Sequence, residues 1–352
     1  MANSTSKNNN ITKVVSQLVG VLNTRSKDVI SRRFGLKTGR KETLDSIGKG
    51  YGITRERVRQ IEAVALKQMR SSLDNGFNKL IEPYVNLATS ILEEYGGTMR
   101  DSHFFEQYFG TIKDKNSIAA LTLLLTLNHS PINLPEDDNL NGHWTLTKDS
   151  SQKAVSLVST LETLLNKNQT PVHDAELVAS YKKAYPSNVD PKAFWSCVNL
   201  SKNIGKNIFN EFGLVSWPNI KPRGVKDRAY LVVKRDGKPQ HFRDITKMIN
   251  LANFSDKKAN VQTVHNELIK DNRFVLVGRG TYALTEWGFK AGTVKDVLVD
   301  VLKSTQKPMA KAELVSQVLK HRQVKENTIL LNLQDTKTFK KTDSGSFTLR
   351  EA

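Results

Sequence analysis

Residues 43–70 limit what this chain can fold into more than any other stretch. Read at helical period, they give a short helix, a tight turn and a longer helix. Leu44, Ile47 and Tyr51 fall on one face of the first helix, and Gly52 allows the turn. Thr54 stands as N-cap of the second, where its hydroxyl can accept from an otherwise unpaired backbone N–H. Within that second helix Val58, Ile61, Ala65, Leu66 and Met69 make an apolar stripe that packing has to cover. Arg55, Glu56, Arg59 and Gln60 gather on another face, at the N-terminal end.

This pattern predicts a helix-turn-helix. Such a unit enters the major groove by the N-terminus of its second helix, so the first two turns must carry long polar side chains. Arginine forks onto guanine, glutamine pairs with adenine, and glutamate accepts from the cytosine amino group. An amphipathic helix with a solvated charged face is the plain alternative. The turn glycine, the cap and the clustered Arg/Glu/Gln set favour the DNA reader.

The run Thr43-Leu-Asp-Ser-Ile-Gly48, followed by Gly52-Ile-Thr-Arg-Glu-Arg-Val-Arg-Gln-Ile-Glu-Ala-Val-Ala-Leu66, closely resembles region 4 of bacterial housekeeping sigma factors. Upstream, Val29-Ile-Ser-Arg-Arg-Phe-Gly-Leu36 is similar to the helix that precedes the motif in that family. The resemblance implies a unit that reads the −35 promoter element and packs on the flap of RNA polymerase. Carried over residue by residue, it implies that Arg55, Glu56 and Gln60 meet base edges while Arg57 and Arg59 hold phosphates. Thr54 and Lys67 complete the candidate contact set. Gly50 departs from the family, which usually has a bulkier residue there, and it predicts a floppier first helix.

The 352 residues are enough for several small domains, and 53 Lys and Arg against 35 Asp and Glu leave a net charge of +18. That balance favours a polyanionic partner. The excess is concentrated in residues 1–84, whereas 85–150 is net acidic. The single cysteine, Cys197, excludes a disulfide framework and reads as a small buried apolar residue. The apolar run 118–127 is too short to cross a bilayer, and the Asn/Ser/Thr-rich start shows no apolar signal segment. A cytoplasmic, nucleoid-associated protein is expected, disordered over residues 1–10.

Beyond residue 84 the chain repeats. Segments around Pro171, Pro239 and Pro308 are versions of one another, 68 and 69 residues apart. Each follows a helical stretch (155–165, 225–233, 294–302), and each unit closes on an alternating aromatic/apolar strand: 213–217, 280–284 and 345–349. A weaker copy occupies 85–147. The pairing of 274–277 with 282–284 across Gly278-Arg279-Gly280 predicts a hairpin. Three helices plus a hairpin make a winged helix. The expected fold is therefore mainly α with small β-hairpin wings. The expected domains are 11–84 (helix-turn-helix), 85–150 (degenerate winged helix), 151–218, 225–286 and 292–352 (winged helices). The third unit resembles the HARE-type winged helix of the RNA polymerase delta subunit, on Gly237-Lys-Pro-Gln-His-Phe-Arg-Asp-Ile245, Thr263-Val-His-Asn-Glu-Leu268 and Arg273-Phe-Val-Leu-Val-Gly-Arg-Gly-Thr-Tyr-Ala-Leu284.

Little else suggests chemistry. Gly48-Lys-Gly-Tyr-Gly52 lacks the ending of a phosphate loop and falls in the turn of the motif. The seven histidines show no ligand spacing, and no paired carboxylates or nucleophile arrangement is evident. No enzyme activity, cofactor, metal or small-molecule substrate is expected. Arg279, at a wing tip, is either a contact to a minor groove or phosphate, or a solvated hairpin arginine. Asn260, Gln262, Thr263 and Asn266 suit base edges, and a protein contact is the open alternative. The expected partners are double-stranded DNA and the bacterial RNA polymerase core, with no membrane. The expected function is a sigma-related transcription factor on promoter-like DNA. The alternative is a delta-like, polymerase-associated scaffold without a specific DNA site.

Overall fold

The computed structural model describes residues 2–110, 114–184, 190–342 and 344–350, and it divides into two compact units. The first comprises residues 1–205 with 212–215, and the second 206–211 with 216–352.

The first unit begins with α1 (Ala2–Gly20) and α2 (Thr24–Phe34). Ile11, Val15 and Leu18 anchor α1 in the core. Asn23 caps α2 by accepting from Ser26 N. Then come α3 (Leu44–Tyr51) and α4 (Arg55–Ser72), a π turn at Leu73–Phe77, and α5 (Asn78–Glu94). Gly76 and Pro83 are helix-breaking residue types, yet the helical path continues through both. Gly76 is absorbed in the π turn and Pro83 sits inside α5. A proline there removes one backbone donor, but burial of Ile81, Ala88 and Leu92 keeps the helix in place.

After α5 the chain forms β1 (Thr98–Arg100), α6 (Asp101–Phe109), α7 (Lys115–Leu127), β2 (Ile132–Leu134) and β3 (His143–Thr145). The three strands form an antiparallel sheet in the order β1-β3-β2, with Met99 opposite Trp144. The apolar run noticed in the sequence is α7, buried nearly all round, as a helix without a polar face must be. No helix among the described residues is long and apolar enough to cross a membrane. Around α7 lies one continuous core: Leu18 from α1, Ile30 from α2, Met69 from α4, Leu92 from α5, Leu121 and Leu124, and Trp144. The boundary drawn at 84/85 thus falls inside α5, and residues on both sides of it share this core.

The next repeat is α8 (Lys148–Asn168), β4 (Val172–His173), α9 (Asp174–Ala184), α10 (Pro191–Val198), β5 (Ile204–Lys206) and β6 (Glu211–Leu214), with strand order β4-β6-β5. It joins its predecessor through Ser196 Oγ donating to Thr98 O at 2.7 Å and Asn141 N donating to Leu200 O at 2.8 Å. Cys197 is buried there, and burial pushes its thiol up to about 11.

In the second unit, α11 (Val225–Asp236), β7 (Gln240–His241), α12 (Phe242–Leu251), α13 (Val261–Lys270), β8 (Phe274–Gly278) and β9 (Thr281–Leu284) repeat the same order, with strands β7-β9-β8. The expected hairpin is present, Phe274 facing Leu284 and Gly278 facing Thr281. His241 caps α12, its Nδ1 accepting from Arg243 N at 3.3 Å. The last repeat is α14 (Val294–Thr305), α15 (Lys311–His321), α16 (Glu326–Leu333), β10 (Phe339–Lys341) and β11 (Phe347–Leu349), where a Met309–Phe347 bridge replaces the third strand. It is fastened to β8 by the buried Arg322, whose Nη1 donates to Leu276 O at 2.6 Å, and by Gln323 N donating to Val277 O at 3.1 Å.

Candidate nucleic-acid interface

The helix-turn-helix is assembled on its own small core, Val29, Ile47 and Val58, closed by Leu44, Tyr51, Ile53 and Ile61. Gly52 ends α3 in the left-handed conformation at φ +65°, which an L side chain rarely adopts. Its N–H reaches the carbonyl of Lys49, and Ile53 N reaches Gly48 O at 3.0 Å, so the turn is hydrogen-bonded through. Thr54 then caps α4, its Oγ1 accepting from Arg57 N at 3.2 Å. Thr43 caps α3 in the same way.

Two arginines of α2 hold this pair of helices to their approach loop. Arg32 grips Glu42 with two parallel bonds, 3.0 and 2.8 Å, and Arg33 reaches Glu42 O at 3.0 Å and Glu62 of α4 at 3.3 Å. The Arg32 bond holds the Glu42 carboxyl below its ordinary value and raises the guanidinium. Tyr51 donates to Asp28 at 2.8 Å, under the Arg25 and Arg32 guanidinium groups at 5.3 and 5.9 Å. Gly50 therefore has a purpose besides looseness. A Cβ there would meet the Arg32 Nη atoms at 3.2 and 3.3 Å, so glycine leaves room for the guanidinium that ties α2 to the loop.

At the tip, Thr54, Arg55, Glu56, Arg57, Arg59 and Gln60 are all solvent-exposed, while Val58 between them is buried. The cluster predicted from sequence is thus brought together on one accessible helix end. Its side chains are paired with one another: Arg59 donates to both Glu56 oxygens at 2.9 and 2.7 Å, and Arg57 to Gln60 Oε1 at 3.0 Å. The Arg59 contact holds the Glu56 carboxyl below its ordinary value. These exposed pairs are readily exchanged for other partners, since solvent screens ion pairs at a surface. A helix N-terminus adds its own partial positive charge.

Two candidates lie apart from the tip. Lys67 is exposed on the face of α4 that Glu56 and Gln60 share, but roughly 16 Å further along the helix axis. Arg279 is exposed at the β8–β9 turn in the second unit. Among the α13 candidates, Asn260 is occupied as N-cap, accepting from Gln262 N and Thr263 N, and Gln262 bonds Asn266 at 3.1 Å. Sequence reasoning missed Lys49. It lines an open groove of about 460 Å³ with Gly52, Ile53, Thr54 and Arg57, between the end of α3 and the start of α4. Its position at the last turn before Gly52 was the available signal.

Comparison with known proteins bears on this region. Residues 18–71 match the family described as Sigma-70, region 4. Over 65 residues the chain is 43% identical to the RNA polymerase principal sigma factor HrdD of Streptomyces griseus, covering 18% of this chain and 20% of that protein. Over 57 residues it is 53% identical to the RNA polymerase sigma factor SigA of a Bacillus species, 15% of each chain. The chain thus spans a fifth or less of the length of these curated relatives. The α3–α4 pair, up to residue 71, and the exposed tip of α4 lie within the matched stretch, and this part of the chain matches sigma-70 region 4.

Proposed function

We propose that the protein is a cytoplasmic, nucleoid-associated transcription factor. It reads promoter-like duplex DNA through the tip of α4, binds RNA polymerase, and acts in initiation or its regulation without enzymatic activity. The observation that carries this reading is the exposure of Thr54, Arg55, Glu56, Arg57, Arg59 and Gln60 at a capped helix end. Arg55, Glu56 and Gln60 face base edges in this scheme, and Arg57, Arg59 and Lys49 the phosphates. The matched relatives are named as RNA polymerase sigma factors, which supports the polymerase as second partner. The later repeats are tandem winged helices, the third of the HARE type, and extend the grip on DNA or polymerase. Their order of three helices and a small sheet supports this assignment.

The test uses the full chain. A bound sequence is selected from random duplexes, and its affinity is compared with that of scrambled duplex in competition. Replacing Arg55, Glu56 and Gln60 by alanine is expected to abolish the preference while leaving salt-dependent binding. Retention of the parent's preference by this triple variant would sink the proposal.

A further inference from the structure

The second unit holds an open cleft of about 730 Å³, in the size range of ligand-binding clefts, where the start of α12 and one face of α13 meet the β8–β9 hairpin. One wall is aromatic. His265 stacks on Phe242 with ring centres 4.3 Å apart and planes 24° from parallel, and His241 lies 4.4 Å from the same ring. The rim is apolar and unusually open: Ile269 is 64% and Leu276 46% exposed. Two exposed arginines, Arg243 and Arg279, complete the lining, and no carboxylate is among its described residues.

The mouth is held in place. Phe242 N donates to Gly280 O at 2.9 Å, and a Cβ at position 280 would meet His241 Nε2 at 2.7 Å. Glycine at the turn therefore lets the hairpin close onto the start of α12, which sets Arg279 beside the aromatic wall.

We propose that this cleft binds an unpaired strand of nucleic acid. A base lies against His265, which Phe242 backs, and against the Leu276–Ile269 rim, while Arg243 and Arg279 take the flanking phosphates. A duplex offers base edges, as the α4 tip requires, and keeps base faces stacked inside. A wall of rings and aliphatic side chains fits faces, which only an unpaired strand presents. An apolar peptide would cover the rim and leave both arginines without an anion.

The test measures anisotropy of labelled, roughly 12-nucleotide single strands with the full chain, one arm DNA and one RNA, beside a duplex of the selected sequence. Replacing Arg243 and Arg279 together by alanine, both on the surface, is expected to weaken single-strand binding about tenfold. The log–log salt slope should fall by about 1.4, two phosphates at roughly 0.7 each. His265→Leu keeps apolar bulk in the wall and removes the ring that faces the cleft; a loss of about 5- to 100-fold is expected. Duplex binding stays at the parent's level in the His265→Leu variant, and the two arms report whether the strand is DNA or RNA. Unchanged single-strand affinity in the arginine variant, or an equal loss on duplex in His265→Leu, overturns the proposal.

Discussion

Two helices of this molecule occupy the same place in similar three-helix arrangements and are equipped very differently. Both α4 and α13 start on a side-chain cap, Thr54 in one and Asn260 in the other, and both expose polar residues over their first turns. On α4 those residues are charged and paired Arg59–Glu56 and Arg57–Gln60. On α13 they are neutral, with Gln262 bonded to Asn266. Beside α13 the hairpin adds rings, aliphatic side chains and an arginine that α4 lacks. A shared backbone plan thus carries the proposed edge reader in one place and the proposed face binder in the other. The side chains decide which, since the geometry of the helix is common to both.

The largest expected effect separates the two helices directly. Alanine at Arg55, Glu56 and Gln60 should cost about 1–3 kcal/mol of sequence discrimination per good base contact. Alanine at Gln262 and Asn266 should leave discrimination unchanged in the same competition assay. Equal losses at both helices would break the contrast. Next, Thr54→Ala and Asn260→Ala should each lower stability by about 1 kcal/mol in urea unfolding. The loss should be larger at Asn260, which accepts from two N–H groups. Glu56→Gln releases Arg59 from its ion pair, so binding to scrambled duplex should tighten and the salt slope steepen by up to about 0.9. The triple variant should show no such gain.

The smallest effect concerns pH. The Glu42 carboxyl is held below its ordinary value of 4.5 by Arg32, so this contact stabilises the fold above that pH. The contribution fades as pH falls through the lowered folded value. Glu42→Gln should therefore lose less melting temperature than the parent between pH 5 and the acid limb, by the equivalent of less than about 1 kcal/mol for a partly exposed pair. A parallel fall in both proteins would show that Glu42 contributes nothing to the acid limb.

Local features of the recognition site were legible in the sequence. Thr54, Gly52 and the Val58–Met69 stripe are specified within a few residues, and caps, left-handed turns and helical faces follow from neighbours. The three proline-marked segments likewise announced their preceding helices and closing strands. What was not legible was non-local. Periodicity marks the apolar face of α1 without naming its partner, and that partner, α7, lies about a hundred residues downstream. Pro83 is by local propensity a helix breaker, and the core beneath α5 overrides it. Gly50 read as looseness because Arg32, eighteen residues earlier, could not be seen to lie against it.

The common core around α7 has a further consequence for how this region 4 domain exists at all. Arg70 of α4 donates to the carbonyls of Thr126 and Leu127, closing the last turn of α7. A fragment cut at residue 84 would strip that anchor and leave Leu18, Ile30 and Met69 facing water. The helix-turn-helix is therefore no detachable head on a tether. It shares one core with the acidic stretch that follows, and the two stand or fall as one folded body.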